Sequence, residues 1–107
     1  MLTLNKIILV GYLSKDLIPR YLDGGRLIVV GRLFTNDLWI DDTGLTKQES
    51  VYHNVIFKYD KAKIALEKIH KNDLVYIDGK LKFREWIGKN GLKRCVSEVN
   101  VINFSKL

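Results

Sequence analysis

Hydrophobic residues fall at every second position over most of this chain, in runs broken by turns rich in Gly, Asp and Asn. That spacing predicts strands almost throughout and one helix. Leu4 to Leu13, rich in Ile, Leu and Val, reads as a first long strand that Ser14 to Pro19 breaks. The Asp23-Gly24-Gly25 turn joins a short extended piece around Arg20 to Leu22 to a second long strand, Arg26 to Thr35. Asp41, Asp42, Thr43 and Gly44 predict a polar loop reaching about Lys47. A third strand, Ser50 to Lys58, sets His53, Val55 and Phe57 on one face and Tyr52, Asn54, Ile56 and Lys58 on the other. The period then changes. Ala62, Ala65, Leu66 and Ile69 make a helical stripe, with Asp60 placed as its N-cap and Asn72 suited to ending it. A fourth strand, Leu74 to Trp86, turns at Gly88-Lys89-Asn90-Gly91 and returns from Lys93 to Phe104.

Three strands, a short helix and two strands is the element order of an all-β, five-stranded Greek-key barrel, the OB-fold, whose middle strands and loops bind oligonucleotides. At 107 residues the chain fits one domain, 1–107, with no internal repeat or linker. Hydrophobic residues at 47% and charged residues at 28% are those of an ordinary folded protein. The net charge of +6 favours a polyanionic partner or an anionic membrane surface. With Cys95 as the only cysteine, no internal disulfide or cysteine-rich zinc site can form. Runs such as Ile7 to Val10 and Leu27 to Val30 are too short to span a bilayer, and no signal-peptide cleavage pattern follows the first.

Alternation within the fourth strand places Lys80, Lys82, Arg84 and Trp86 on one face, with Leu81 and Phe83 on the buried one. Cations alone would only solubilise a sheet. An indole left among them has no solvation reason to be there, and cations interleaved with aromatics suit single-stranded nucleic acid. Arg32 and Phe34 share a face of the second strand and Lys6 and Tyr12 one of the first, so both pairs are candidates to extend that surface, Lys6 equally as solvated surface. Ile8 and Val10 have the parity of Lys6, and Leu74 and Tyr76 that of Lys80. If the basic faces point outward, these apolar residues do too, and they predict a self-association surface.

Nothing in the chain predicts catalysis or a cofactor. It has no Walker-type glycine loop, no nucleophile elbow and no histidine pair at zinc spacing. Asp41 and Asp42 suit a solvated loop, and Asp78 and Glu98 suit cross-strand pairs with lysine. His53, His70 and Cys95 fall on separate elements, so no metal site is expected.

The segments Asn5 to Gly11, Arg20-Tyr21-Leu22, Tyr52-His53-Asn54-Val55 and Val75 to Leu81, ending at Trp86, resemble the bacterial and mitochondrial single-stranded DNA-binding protein family over essentially the whole chain. The resemblance implies a homotetramer built from dimers that coats single-stranded DNA in replication, recombination and repair without reading its sequence. It also implies base stacking on Trp39, Tyr52 and Trp86, with Asn54 beside them in the groove. The next stacking position, often phenylalanine in the family, is Lys58 here; either Tyr59 replaces that ring or a phosphate contact replaces the stack, and the second is slightly preferred. His53 matches a position tied to subunit contacts, although a hydrogen bond inside one barrel is the other reading.

The chain stops at Ser105-Lys106-Leu107, without the acidic tail that recruits partners in bacterial members, so tail-mediated recruitment is not expected. A bacterial cytoplasmic protein, a phage or plasmid protein, or a matured mitochondrial one all fit. A primosomal or RNA-binding barrel and a protein-interaction module with a basic face remain the alternatives.

Overall fold

A computed structural model describes residues 1–107. Its elements are β1 (Ile7–Leu13), β2 (Ile18–Tyr21), β3 (Leu27–Ile40), β4 (Thr46–Lys58), α1 (Asp60–Lys68), β5 (Leu74–Ile87) and β6 (Lys93–Lys106). Five long strands form the barrel, and the short β2 lies on the outer edge of β3. The sheet runs β1-β5-β6-β4-β3-β2 and closes on itself where Tyr12 and Leu13 of β1 meet Phe34 and Leu33 of β3. Closure requires Gly11: a Cβ there would collide with the Phe34 carbonyl.

The period-2 faces behave as the sequence predicts. Leu13, Val29, Leu33, Val55, Phe57, Val75 and Ile77 are fully buried, and Ala62, Ala65 and Ile69 of the helical segment plug one end of the same core. No polar or charged residue is buried among them, so hydrophobic burial holds the barrel together without a desolvated charge to offset.

Several boundaries differ from the sequence reading. β1 begins at Ile7 rather than Leu4. The residues before it are tied down by Asn5, which donates to the Leu81 carbonyl at 2.8 Å and accepts from the Leu81 N–H at 2.9 Å. β3 and β4 run on as a two-stranded ribbon through Asn36↔Ser50 to Ile40↔Thr46, beyond the Thr35 end expected for the second strand and into Thr46 and Lys47 of the expected loop. The real turn is Asp41 to Leu45, where one Asp41 oxygen accepts from the Thr43 N–H, the Thr43 hydroxyl and the Leu45 N–H. Those bonds, the Thr43 hydroxyl first, hold the Asp41 carboxyl below the usual aspartate range.

The helix start also differs. Asp60 is its first residue and caps nothing; Tyr59 holds the N-cap position without a side-chain capping bond. Asp60 still favours the helix through its charge in the first turn. The helix ends at Lys68, so His70 lies beyond it. Asn72 serves instead as a left-handed residue, φ 73°, in the turn leading to β5.

Candidate nucleic-acid interface

The outward faces of β3 and β4 meet in register, pairing Ile28 with Lys58, Val30 with Ile56, Arg32 with Asn54 and Phe34 with Tyr52. These pairs make one continuous strip. At its upper end the Phe34 and Tyr52 rings tilt against each other at 5.3 Å between centroids, and the Arg32 guanidinium lies 4.5 Å over the Tyr52 ring. Tyr12 of β1, opposite Phe34 in the ladder, joins them at the rim of a shallow hollow. Tyr52 remains 50% exposed, so a face of the phenol is open.

Lower on the same strip lies a groove of about 470 Å³. Ile28, Val30 and Ile56 form its floor, while Arg20, Lys58 and Lys82 bring cations to it. Tyr59 lines it as well, next to Lys58. Successive strand residues would point to opposite faces, but the strand geometry breaks here. Tyr59, the N-cap of α1, has φ 59° and ψ −119°, a region that normally favours glycine. Its N–H donates to the Leu27 carbonyl at 2.8 Å and its carbonyl accepts from Lys63 N–H at 3.2 Å, which pins the strained residue at both ends. Arg26 sits 5.6 Å from the ring centroid and reaches the hydroxyl at 3.4 Å.

Trp39 and Trp86 stand apart from that strip. Trp39 projects on the β3–β4 ribbon opposite Lys47, 46% exposed. Trp86 lies on the β5–β6 hairpin opposite Arg94, 42% exposed, with the Arg84 guanidinium 4.7 Å over its ring. Arg84 is less free than the sequence suggests, because its Nε donates to Glu98 at 2.8 Å. The arginine clamps the indole in place as much as it offers charge. Lys80 and Lys82 form no ion pair, whereas Lys6 is shared with Asp78 at 3.8 Å. Phe83 corrects an expectation: beyond the end of the barrel there is no core for it to enter, and it is 67% exposed beside the groove.

Asn54 reaches the Ser97 carbonyl at 3.5 Å and so spans β4 and β6. His53 has a partner inside its own barrel, Thr35 Oγ1 at 2.9 Å, and its burial holds the imidazole below its ordinary range while Asp37 opposes that shift. Ile8, Val10, Leu74 and Tyr76 do gather on one face, since Val10 pairs with Tyr76 and Tyr12 with Leu74. Ile8 and Val10 are about half exposed.

The sequence reading missed Arg20 and the Ile28, Val30 and Ile56 floor. Their signal was available in parity. Ile28 and Val30 have the outward phase of Arg32, and Ile56 that of Tyr52, while Arg20 reaches them from β2 as the ladder partner of Ile28.

Residues 4–107 match the family model described as the single-strand binding protein family. The single-stranded DNA-binding protein of Neisseria meningitidis serogroup A is 31% identical over 106 residues, 99% of this chain and 60% of that protein. Single-stranded DNA-binding protein 1 of Xylella fastidiosa is 36% identical over 100 residues, 92% of this chain and 74% of that protein. Among solved structures, the Plasmodium falciparum SSB complex with ssDNA superposes with a TM-score of 0.88 at 26% identity, covering 100% of this chain and 97% of that one. A deletion mutant of the single-stranded DNA binding protein from Thermus aquaticus superposes with a TM-score of 0.85 at 28% identity, covering 97% of this chain and 50% of that one. The chain thus spans about 60% of the length of the Neisseria relative. No helix is long and apolar enough to cross a membrane.

Proposed function

The chain belongs to the single-strand binding protein family, and on that footing we propose that it coats single-stranded DNA, without sequence preference, during replication, recombination and repair. The observation that carries the reading is that three half-exposed rings, Trp39, Tyr52 and Trp86, each have a cation or its ladder partner beside them on the outer surface. Stacking on such a ring is worth about 1–3 kcal/mol per base and is blind to base identity, because every base has a flat face. Phe34 braces Tyr52, and Tyr59 supplies a further ring at the groove. Lys58, Lys80, Lys82, Arg20 and Arg32 follow the phosphates, with Asn54 bridging the strands beneath. Arg84 chiefly positions Trp86, and Lys6, held by Asp78, contributes at the margin.

The reaction is binding alone, with no bond made or broken. Ile8, Val10, Leu74 and Tyr76 form the self-association face of a homotetramer assembled from dimers, with His53 near it. The Neisseria and Xylella relatives point to a bacterial cytoplasm as the setting.

Fluorescence anisotropy with labelled oligo-dT, the matched duplex and oligo-U tests the reading. Binding to oligo-dT with duplex at least a hundredfold weaker supports it. Equal affinity for duplex and single strand overturns it, and a preference for oligo-U reassigns the groove to RNA.

A further inference from the structure

A second groove, of about 500 Å³, runs between α1 and the C-terminal part of β6. Lys61, Ile64 and Lys68 form one wall, brought onto one helix face by their spacing of three and four residues. Ile102 to Lys106 form the other. β6 pairs with β4 only through Val99 and Asn100; from Val101 onward it has β5 on one side and no strand on the other. α1 lies beside that open edge, but a helix has no ladder bonds to give. The edge from Val101 to Lys106 is therefore without a ladder partner on the groove side, and a bulge at Ile102, skipped between the Gly79↔Val101 and Asp78↔Asn103 pairs, sets that side chain out of the regular alternation.

The lining is one-sided in charge. It holds three lysines and no carboxylate. Lys61 and Lys68 form no ion pair, and Lys106 is shared with Asp73 at 3.5 Å. Between the lysines, Ile64 is 44% and Ile102 38% exposed. Phe104 turns inward, its ring edge-on to Phe57 at 5.1 Å, so the groove offers an aliphatic floor and no free ring.

We propose that this groove docks an extended acidic peptide of a partner protein. The peptide adds a strand to the open edge of β6, seats apolar side chains on Ile64 and Ile102, and sets its carboxylates against Lys61, Lys68 and Lys106. Strand addition draws affinity from main-chain bonds and selectivity from the pockets that alternate side chains enter. Two other occupants fit less well. Single-stranded nucleic acid would find cations but nothing to stack on. A second copy of this chain, paired edge to edge about a two-fold axis, would bring the same lysines face to face. None of the residues assigned above to DNA or to self-association lines this groove.

The probe is a fluorescein-labelled ten-residue peptide alternating glutamate with leucine, beside a counterpart carrying lysine for glutamate. The acidic peptide binds the wild-type chain, and its addition shifts the backbone amide signals of residues 102–106. The K61E/K68E variant, whose changes lie on exposed positions, weakens the peptide at least tenfold while oligo-dT affinity stays within twofold. Ile102→Glu gives the same loss by removing the apolar seat and opposing the carboxylates. Absence of binding to the wild-type chain, equal binding of the lysine peptide, or indifference to both variants overturns the proposal. A parallel loss of oligo-dT affinity would assign the groove to nucleic acid, and a drop in sedimenting mass would assign it to self-association; either result overturns it too.

Discussion

Replacing Tyr59 by glycine and by alanine separates what its backbone costs from what its ring contributes. The residue sits at φ 59° and ψ −119°, where a side chain costs about 1–3 kcal/mol and glycine little. The ring hides rather more than half of its surface. At about 25 cal/mol per Å² over about 100 Å², either substitution forfeits about 2.5 kcal/mol of burial. Alanine keeps most of the backbone strain, so its loss stays near that figure. Glycine relieves the strain but gives back about 0.5–1 kcal/mol through the entropy of the unfolded chain. The glycine variant should therefore be the more stable of the two, by up to about 2.5 kcal/mol, the reverse of the order at an ordinary helical position. Urea denaturation at one protein concentration reads the difference as a shift in midpoint at constant slope. An alanine variant as stable as the glycine variant would refute the strain. Both variants lack the ring, so both should lose about 1–3 kcal/mol of oligo-dT binding if a base stacks there. Undiminished binding would take Tyr59 off the DNA track.

Trp86→Ala should weaken oligo-dT binding by about 1–3 kcal/mol with an unchanged circular dichroism spectrum, because its proposed partner is a base and not the core; intact affinity would remove it from the interface. If Lys58, Lys80, Lys82, Arg20 and Arg32 each neutralise one phosphate, the logarithm of affinity should fall against the logarithm of salt with a slope of about −3.5 per protomer, five contacts at about −0.7 each. A slope near zero would refute phosphate tracking. Tyr76→Asp puts a charge in the centre of the Val10 and Leu74 face and should dissociate the assembly in sedimentation; a wild-type mass would rule that face out. For His53, burial lowers the folded imidazole pKa from its ordinary 6.5, so below that value the unfolded chain takes up a proton that the folded chain resists. Stability should decline as pH falls from neutrality through 6.5 and level off below the lowered folded value. His53→Gln should flatten that decline, and an unchanged pH profile would contradict the assignment.

Alternation made the barrel legible, because each strand has one face in a dry core and a one-residue slip would expose it. Val55 and Phe57 inward against Tyr52 and Lys58 outward is that rule at work. It fails where no core exists. Asn36 to Ile40 and Thr46 to Glu49 are exposed on both sides of a projecting ribbon, so no inward-outward alternation marks them as paired strand. The same lack of core left Phe83 outside. The exposed rings of Trp39, Tyr52 and Trp86 were legible because aromatic residues on polar faces are conspicuous. The groove floor was not, because Ile28, Val30 and Ile56 resemble core residues until their parity is followed. Tyr59 was beyond reach for another reason: parity assigns it away from Lys58, and its positive φ, which breaks the strand geometry there, has no signal in the sequence.

The account stands most directly on intrinsic tryptophan fluorescence during titration with oligo-dT. Trp39 and Trp86 are the only tryptophans, both are about half exposed, and both are proposed to stack on bases. Strong, saturable quenching by oligo-dT, reduced in Trp39→Phe and in Trp86→Phe and absent with an equal concentration of duplex, is the predicted result. Binding of oligo-dT that leaves both indoles unquenched would contradict it.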